Sequence, residues 1–515
     1  MGFIFYESFT EPFFKYISKG DFFNGHPDAM VNTFGCYIYI GDIFEYIAIK
    51  WNVYLFEMLV LLSISLVFFN TYLLVNESKS KLPIYLKVGL YSLTFIVVSQ
   101  VESARVTILL SGISTILLFY DSQSTILKKI YYIACIILAL SIRIEGGALS
   151  IIFISMIYFI LSKKSKVQFI KLAIVILPVI LFYARVNTPM NLQESKYIQL
   201  RPYQFTLWDF NKNQNIVFKS TIDSTIYYTS LNFFLSDKTK MNPEYFKEIG
   251  VLKNDKSPTD FLRTINQKKI DTSQLHIDIY KQLLYFTIIV SFLFIVLFST
   301  QKRQAVIIQI SGLLTLLAVW ILMKMELRVL EPFLLIILLF SIYIGQLQIE
   351  KRDHKITILF SLLIIIASAL NSFQYYSYQK SIAINMDKTI AYLNDLPENS
   401  KIIVNLLPLV YWNNTVLKKD PVLKNKQLLS IDNGLFFLQN NYEKYLIELY
   451  GSSEYEIVFK KIAEDNSTYL VSDSKRMNLL SNYAQQVYGI EWKYSIIKKF
   501  NISENDIYVY QFNKN

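Results

Sequence analysis

Arg143-Ile144-Glu145-Gly146-Gly147 interrupts two apolar runs, Ile130 to Ile142 and Ala148 to Leu161. Together the runs are too long for one helix across a bilayer and too short for two comfortable ones. A spanning helix needs roughly 20 apolar residues at 1.5 Å each. The first run reaches only about 20 Å, against a hydrocarbon core of about 30 Å. A tight hairpin at the Gly pair would leave Arg143 and Glu145 at, or just below, one membrane face. An ionisable group at that depth costs several kcal/mol unless it faces protein or a wet cavity. Something polar is expected to bind there.

The surrounding chain has the composition such a hairpin requires. Of its 515 residues, 53% are hydrophobic and only 18% charged. That charged share falls below the ~25% of soluble proteins. The fold class expected is mainly α, a polytopic helical membrane protein of about ten spans with a small extracytoplasmic α/β domain at the C-terminal end. Apolar segments run at about Tyr54–Val75, Ile84–Val101, Val106–Tyr120, Ile130–Ile142, Ala148–Leu161 and Phe169–Tyr183. After a polar insert, 184–282, come Leu283–Thr300, Ala305–Met323, Val329–Leu347 and Ile356–Leu370. Residues 1–53 precede this 54–371 bundle and hold no stretch long enough to span; no cleavable signal peptide is evident. Cys36 and Cys135 fall in different environments, so no disulfide is expected.

A formal charge of +11 could suggest nucleic acid, but its placement argues against such a partner. The excess lies in alternate short loops, at Lys79 and Lys81, Lys128 and Lys129, Lys163 to Lys166, Lys302 and Arg303, and Lys351 to Lys355. Loops of that kind face the cytoplasm. The opposite loops are mixed in sign: Glu102 with Arg105, Arg143 with Glu145, and Lys324, Glu326, Arg328 and Glu331. The N-terminal segment, the insert and the tail 372–515 then lie outside. Within the tail, Lys401–Leu407, Tyr469–Val471 and Ile507–Phe512 look like strands. Met386–Leu396, Asn441–Tyr450 and Lys475–Val487 look helical, with Asp473 or Ser474 capping the last.

Three constellations could carry chemistry. Arg105, Arg143 and Arg328 each sit at the outer end of an apolar segment, with Lys324 one turn before Arg328. Guanidinium forks suit phosphate oxygens, and a phosphate on a lipid would arrive at this depth. Glu102 with Arg105, and Arg328 with Glu331, could instead be neutralising pairs within single helices. The second is Asn24-Gly25-His26-Pro27-Asp28, where Asp28 could accept a proton from a substrate hydroxyl. An Asp after Pro also serves as a helix cap, and Asp21 and Asp42 compete for the role. The third is the stretch from Arg201 through Tyr203 and Trp208 to Asp209, which could stack on and hydrogen-bond a sugar together with Glu102 and Glu145. The same aromatics suit a membrane interface. No paired Cys/His spacing marks a metal site, though carboxylates alone could hold a divalent ion.

With an outward Asp-bearing first loop, about ten spans, Arg-bearing outer helix ends and a C-terminal extracytoplasmic α/β domain, the chain resembles the multi-spanning GT-C glycosyltransferases. The resemblance is one of architecture over most of the chain. It implies a polyprenyl-phosphate-linked sugar donor, a glycan or lipid acceptor, Asp28 as general base with Asp21 in reserve, and Arg143, Arg105 or Arg328 on the donor phosphate. The family normally has a spanning helix before that first loop, and none is found here; either the start lies upstream or the loop is anchored differently. A polymerase or ligase of lipid-linked glycans shares these features. A lipid or solute transporter would more often show internal repeats and charges deep within spans.

Overall fold

The computed structural model describes residues 55–77, 82–99, 103–121, 125–162, 165–188, 199–200, 203, 216–231, 237, 239–251, 279–322, 327–349, 353–405, 426–430, 446–502 and 505–513. The N-terminal segment with Asp21, Asp28 and Asp42 lies outside them, as do Glu102, Arg201, Trp208, Asp209 and Lys324.

The apolar segments form long helices. They are α1 (Leu55–Glu77), α2 (Ile84–Ser99), α3 (Ser103–Tyr120), α4 (Ile126–Ile142), α5 (Ile144–Leu161) and α6 (Lys166–Asn187). After the insert, with its short helices α7 (Thr221–Leu231) and α8 (Pro243–Glu248), come α9 (Ile279–Phe298), α10 (Lys302–Leu322), α11 (Leu327–Gly345) and α12 (His354–Asp395). Six of them, α5, α6 and α9 to α12, are long and apolar enough to cross a membrane; α1, α2 and α3 contain shorter apolar stretches.

The bundle is built around α3, whose residues from Ala104 to Phe119 are all buried. Pairings along its length fix the directions of its neighbours. Phe119 stacks on Tyr158 at 4.3 Å, and Ser111 meets Ser150 at 2.7 Å, so α3 and α5 run parallel. Tyr120 meets Phe340 at 5.6 Å, which sets α11 parallel to α3 as well. Helix α4 runs the other way, with Tyr132 donating to Asp121 at 3.4 Å beside the end of α3. Between α4 and α5 stands Arg143 alone, with φ −156° and ψ 110°. Its N–H closes α4 on the Ala139 carbonyl (3.0 Å), and its carbonyl accepts from Gly147 N–H (3.2 Å) to open α5.

The reversal therefore falls at Arg143 and not at the Gly pair, which lies inside the first turn of α5. The glycines serve close approach there. A Cβ on Gly146 would stand 2.7 Å from Thr107 Oγ1, and one on Gly147 would stand 3.1 Å from Leu140 Cδ2. Small residues let membrane helices touch backbone to backbone in this way.

At the opposite end of the bundle, the start of α6 closes its neighbours. Lys171 donates to the Phe119 carbonyl (2.8 Å) and Gln168 to the Tyr158 carbonyl (3.2 Å). Both carbonyls sit in the last turns of their helices, where side chains commonly complete the bonding, and Tyr158 also accepts from Ser162 N–H at 3.0 Å.

Helix α12 departs from expectation. The span ending near Leu370 and the helix beginning near Met386 are one element of 42 residues, about 63 Å long at 1.5 Å per residue. It carries the chain out of the bundle to a five-stranded sheet of order β2-β1-β3-β5-β4. Strands β1 (Lys401–Asn405), β2 (Gln427–Ser430) and β3 (Thr468–Ser472) are parallel, and β5 (Asn505–Phe512) runs antiparallel to β3. Strand β4 (Tyr494–Ile502) forms an edge with a register shift between Ile496 and Lys498, and its lysines discourage further pairing. Tyr392, near the end of α12, packs edge-on against Phe500 of β4 at 5.6 Å.

Helices α13 (Tyr455–Glu464) and α14 (Ser474–Tyr488) complete the unit. Asp473 caps α14 by accepting from Arg476 N–H at 2.8 Å, and Gly489, at φ 70°, ends it in the left-handed region that glycine tolerates. Strands β2 and β4 and helix α13 go beyond the expected elements: β2 is only four residues long, and Lys-Lys pairs interrupt the apolar patterns of β4 and α13.

The insert shares this unit's core. Leu200, Tyr203, Tyr227 and Phe246 are buried with Ile403, Phe459, Leu470 and Tyr483. Asp237, 1% exposed, accepts hydrogen bonds from Tyr483 (2.8 Å) and Tyr488, and also from the Thr239 hydroxyl (2.7 Å). Burial and the Asp237 carboxylate push the Tyr483 and Tyr488 phenols above their ordinary range, so both stay protonated donors.

A second carboxylate ties β1 to the turn before β3. Burial of Asp465 opposes ionisation, but Lys401 Nζ at 2.8 Å and the Ser467 hydroxyl and N–H outweigh it and hold the carboxyl at about 2. A depressed carboxylate stabilises the fold above its ordinary value of 3.8 and loses that contribution as pH falls through about 2. Thermal unfolding followed between pH 5 and pH 2 (on the order of the carboxylate range) should show a decline that Asp465→Asn flattens, with the variant less stable than the parent at neutral pH.

Candidate outer-end charged site

Helices α3, α5, α9 and α11 all begin at the end of the bundle where the insert and the sheet attach. Helix α6 leaves that end into the insert, and α12 leaves it towards the sheet; Asn371 of α12 donates to the Tyr280 carbonyl of α9 at 2.7 Å. Every described member of that charged set therefore lies at the end of the bundle that carries the sheet unit.

Two of these positions form a buried pair. Arg105, in the first turn of α3, and Glu331, in the second turn of α11, meet as an ion pair with side chains 3% and 2% exposed. The carboxylate also accepts from Tyr285 of α9 at 3.3 Å and lies 3.9 Å from Lys281 Nζ. Three helices are thus tied through one carboxylate. The expected neutralisation of Arg328 by Glu331 within a single helix is replaced, for the glutamate, by partners on α3 and α9. Arg328 stands one turn earlier on α11, half-buried.

Arg143 and Glu145 form the second pair. Their side chains are 19% and 35% exposed, with Nε 3.7 Å from Oε2. The contact of Gly146 with Thr107 and the Ala104 carbonyl sets this pair beside the first turn of α3, at the level of Arg105. The outer end thus offers two kinds of cation. The Arg105 guanidinium is enclosed and held by a carboxylate, whereas the Arg143 side chain is partly exposed beside Glu145. A partly exposed, oriented guanidinium can bind an oxyanion in a forked geometry; an enclosed one positions helices.

The sugar-stacking set is divided. Tyr203, 6% exposed, packs its ring against Phe246 at 6.1 Å within the soluble core, so its face is covered by protein. Its companions Arg201, Trp208 and Asp209 lie outside the described residues. Among the described residues, no group of three or more His, Cys, Asp or Glu side chains comes together as a metal site would need. Cys135 is buried as a thiol; Cys36 lies outside the described residues.

Sequence reasoning missed Lys281 and Tyr285. The only available signal was a cation directly ahead of an apolar run, and nothing local indicates that it turns towards a glutamate fifty residues on (281 against 331). Comparison with protein-family models, curated proteins and solved structures finds no match.

Removing one partner of the buried pair should cost far more than removing both. Glu331→Ala strands a guanidinium and should lower stability by about 3–5 kcal/mol, while Arg105→Met with Glu331→Leu should recover most of the loss. Chemical unfolding of purified protein in detergent reads the difference. Equal losses in the single and double variants would show that the pair contributes only through packing.

Proposed function

We propose that this chain is an integral-membrane glycosyltransferase. It takes a sugar from a polyprenyl-phosphate carrier and delivers it to a cell-envelope glycan, lipid or protein acceptor on the outer side of the cytoplasmic membrane. The observation that supports the reading is the partly exposed Arg143 side chain, set beside Glu145 at the bundle end to which the insert and the sheet attach.

In this reading the lysine-rich turns face the cytoplasm, and ten helices cross the bilayer. The carrier enters laterally with its phosphate at Arg143, with Arg328 and Lys324 as further cations. Glu145 orients the Arg143 side chain through the 3.7 Å contact at Nε. Arg105 is a positioning residue, fixing the outer ends of α3 and α11 through Glu331. Asp28 takes the acceptor proton, with Asp21 in reserve, and direct displacement breaks the bond to the carrier phosphate with inversion at the anomeric carbon. The phosphate leaves as an anion beside fixed cations, which lowers the barrier without reorganising solvent. Glu102, Arg201, Trp208 and Asp209, outside the described residues, are assigned to sugar and acceptor binding in this reading. A divalent ion could assist the leaving phosphate, and no step requires one.

Purified protein supplied with a radiolabelled polyprenyl-phosphate sugar tests this reading. Arg143→Ala should lower kcat/KM on the order of 100-fold, as loss of one oxyanion partner does elsewhere. Asp28→Asn should abolish turnover while leaving carrier binding intact. Full activity in both variants would overturn the assignment, and vesicle uptake without covalent product would point to transport instead.

A further inference from the structure

Helix α12 carries one exposed stripe along the bundle and past its outer end. Steps of three and four residues lead from Lys355 through Leu359, Leu362, Ile366 and Leu370 to Phe373, Tyr376 and Lys380, and all of these side chains are exposed. Such steps keep to one face of a helix with 3.6 residues per turn. The opposite face turns inward. Ile364 and Ala367 are buried, Ile364 lies against Gly89 of α2, and Asn371 donates to the Tyr280 carbonyl of α9 at 2.7 Å.

The order along the stripe sets it apart from the plain aliphatic surface of the other helices. A lysine comes first, then aliphatic positions only, then Phe373 at 71% and Tyr376 at 47% exposed, then a lysine again. A helix crossing a bilayer meets its layers in that sequence. Aliphatics face acyl chains, aromatic rings settle at headgroup level, and lysines reach lipid phosphate or water. The lengths agree as well. At 1.5 Å per residue, Lys355 to Phe373 is about 27 Å and Lys355 to Lys380 about 38 Å. The hydrocarbon core is about 30 Å thick and the whole bilayer about 40–45 Å. Beyond Lys380 the same face mixes Ile384 with Lys388 and no longer suits acyl chains. Tyr183 near the outer end of α6 and Tyr280 at the outer end of α9 are exposed aromatics too. A second copy packed on α12 would cover the aliphatics but gives no reason for lysines at both limits, one bilayer apart.

We propose that this stripe faces lipid and that the outer membrane boundary crosses α12 between Phe373 and Tyr376. Asn371 and Tyr280 then lie just inside it. Lys281, the next residue of α9, leads from that level to Glu331 and Arg105. The charged network thus belongs to the acyl edge of the headgroup layer, about 3 to 8 Å below the aromatic pair by the rise from Asn371 to Phe373 and Tyr376. Tyr392, where α12 meets the sheet, stands about 24 Å further along the helix than Tyr376. The proposal rests on the membrane reading of the bundle and not on any reaction at its outer end.

The test uses the full chain with Cys36→Ser, in vesicles of phosphatidylcholine and phosphatidylglycerol; the remaining thiol, Cys135, is buried. A nitroxide is attached in turn at Ile366→Cys, Phe373→Cys, Lys380→Cys, Lys388→Cys and Tyr280→Cys. Electron paramagnetic resonance then reads its collision rates with oxygen and with a neutral nickel chelate. Oxygen should dominate at position 366, the two should come near balance at 373 and 280, and nickel should dominate at 380 and 388. A reversal outside the interval from 366 to 380, or a water-like reading at 280, would overturn the boundary. Low rates for both reagents at 366 would mean that protein, such as a second copy, covers the stripe, and would overturn it equally. Each outcome is read without glycosyl transfer, so failure of the boundary and failure of the enzymatic reading are told apart.

Discussion

The bond between Arg105 and Glu331 ties the outer ends of two buried helices, and each charge is nearly sealed from solvent. Taking either charge out of water alone costs several kcal/mol even after relaxation. Attraction at short range offsets that cost only where the geometry is fixed and further donors complete the carboxylate. Tyr285 and Lys281 supply that completion from α9. The pair adds little net stability over an apolar filling of the same shape; what it adds is register. Three helices starting at one face can slide along one another on apolar contacts, and a shared carboxylate permits one alignment.

The same demand explains the small hydroxyl and glycine residues between α3 and α5. In an apolar medium every polar group needs a partner within the protein. Ser111 bonds back to the Thr107 carbonyl at 2.6 Å and across to Ser150, so each hydroxyl is satisfied while the helices come close. A larger residue at Gly146 would push α5 off α3. Arg143 would move with it, because only one residue separates the two helices of that hairpin.

Much of this was legible from the sequence, and the reasons differ by feature. Each of the expected apolar segments became a helix because backbone satisfaction leaves apolar stretches of that length few alternatives. The hairpin after Ile142 was legible as a break. Its pivot was not, since glycine reads as a turn residue and only the packed neighbours Thr107 and Leu140 reveal that Gly146 and Gly147 are there for close contact. The continuity of α12 was hidden by Asn371-Ser372 and the tyrosines that follow, which read as an interface and a domain boundary. A long helix can pass through such a boundary when its far end is anchored, as Tyr392 is on Phe500. The buried pair at Arg105 was least legible. Local spacing offers Glu102 as partner, and a contact between residues 226 positions apart leaves no periodic trace.

The shared core of the insert and the tail bears on how the outer site is held. Two segments that bury Tyr203, Phe246, Leu470 and Tyr483 together must lie on one side of any membrane the bundle crosses. Three chain passages then join the soluble unit to the bundle, at the end of α6, the start of α9 and the length of α12. One of them is a continuous helix, and a rigid element resists bending where a loop would not. Asp237 closes the unit by drawing donors from both segments, so the insert cannot lift away from α14 without exposing a carboxylate and two phenols that are otherwise satisfied. The sheet unit is thereby fixed at the end of the bundle that holds Arg143. Whatever approaches that end of the bundle therefore meets a wall of fixed position, because a continuous helix and a shared core hold it there.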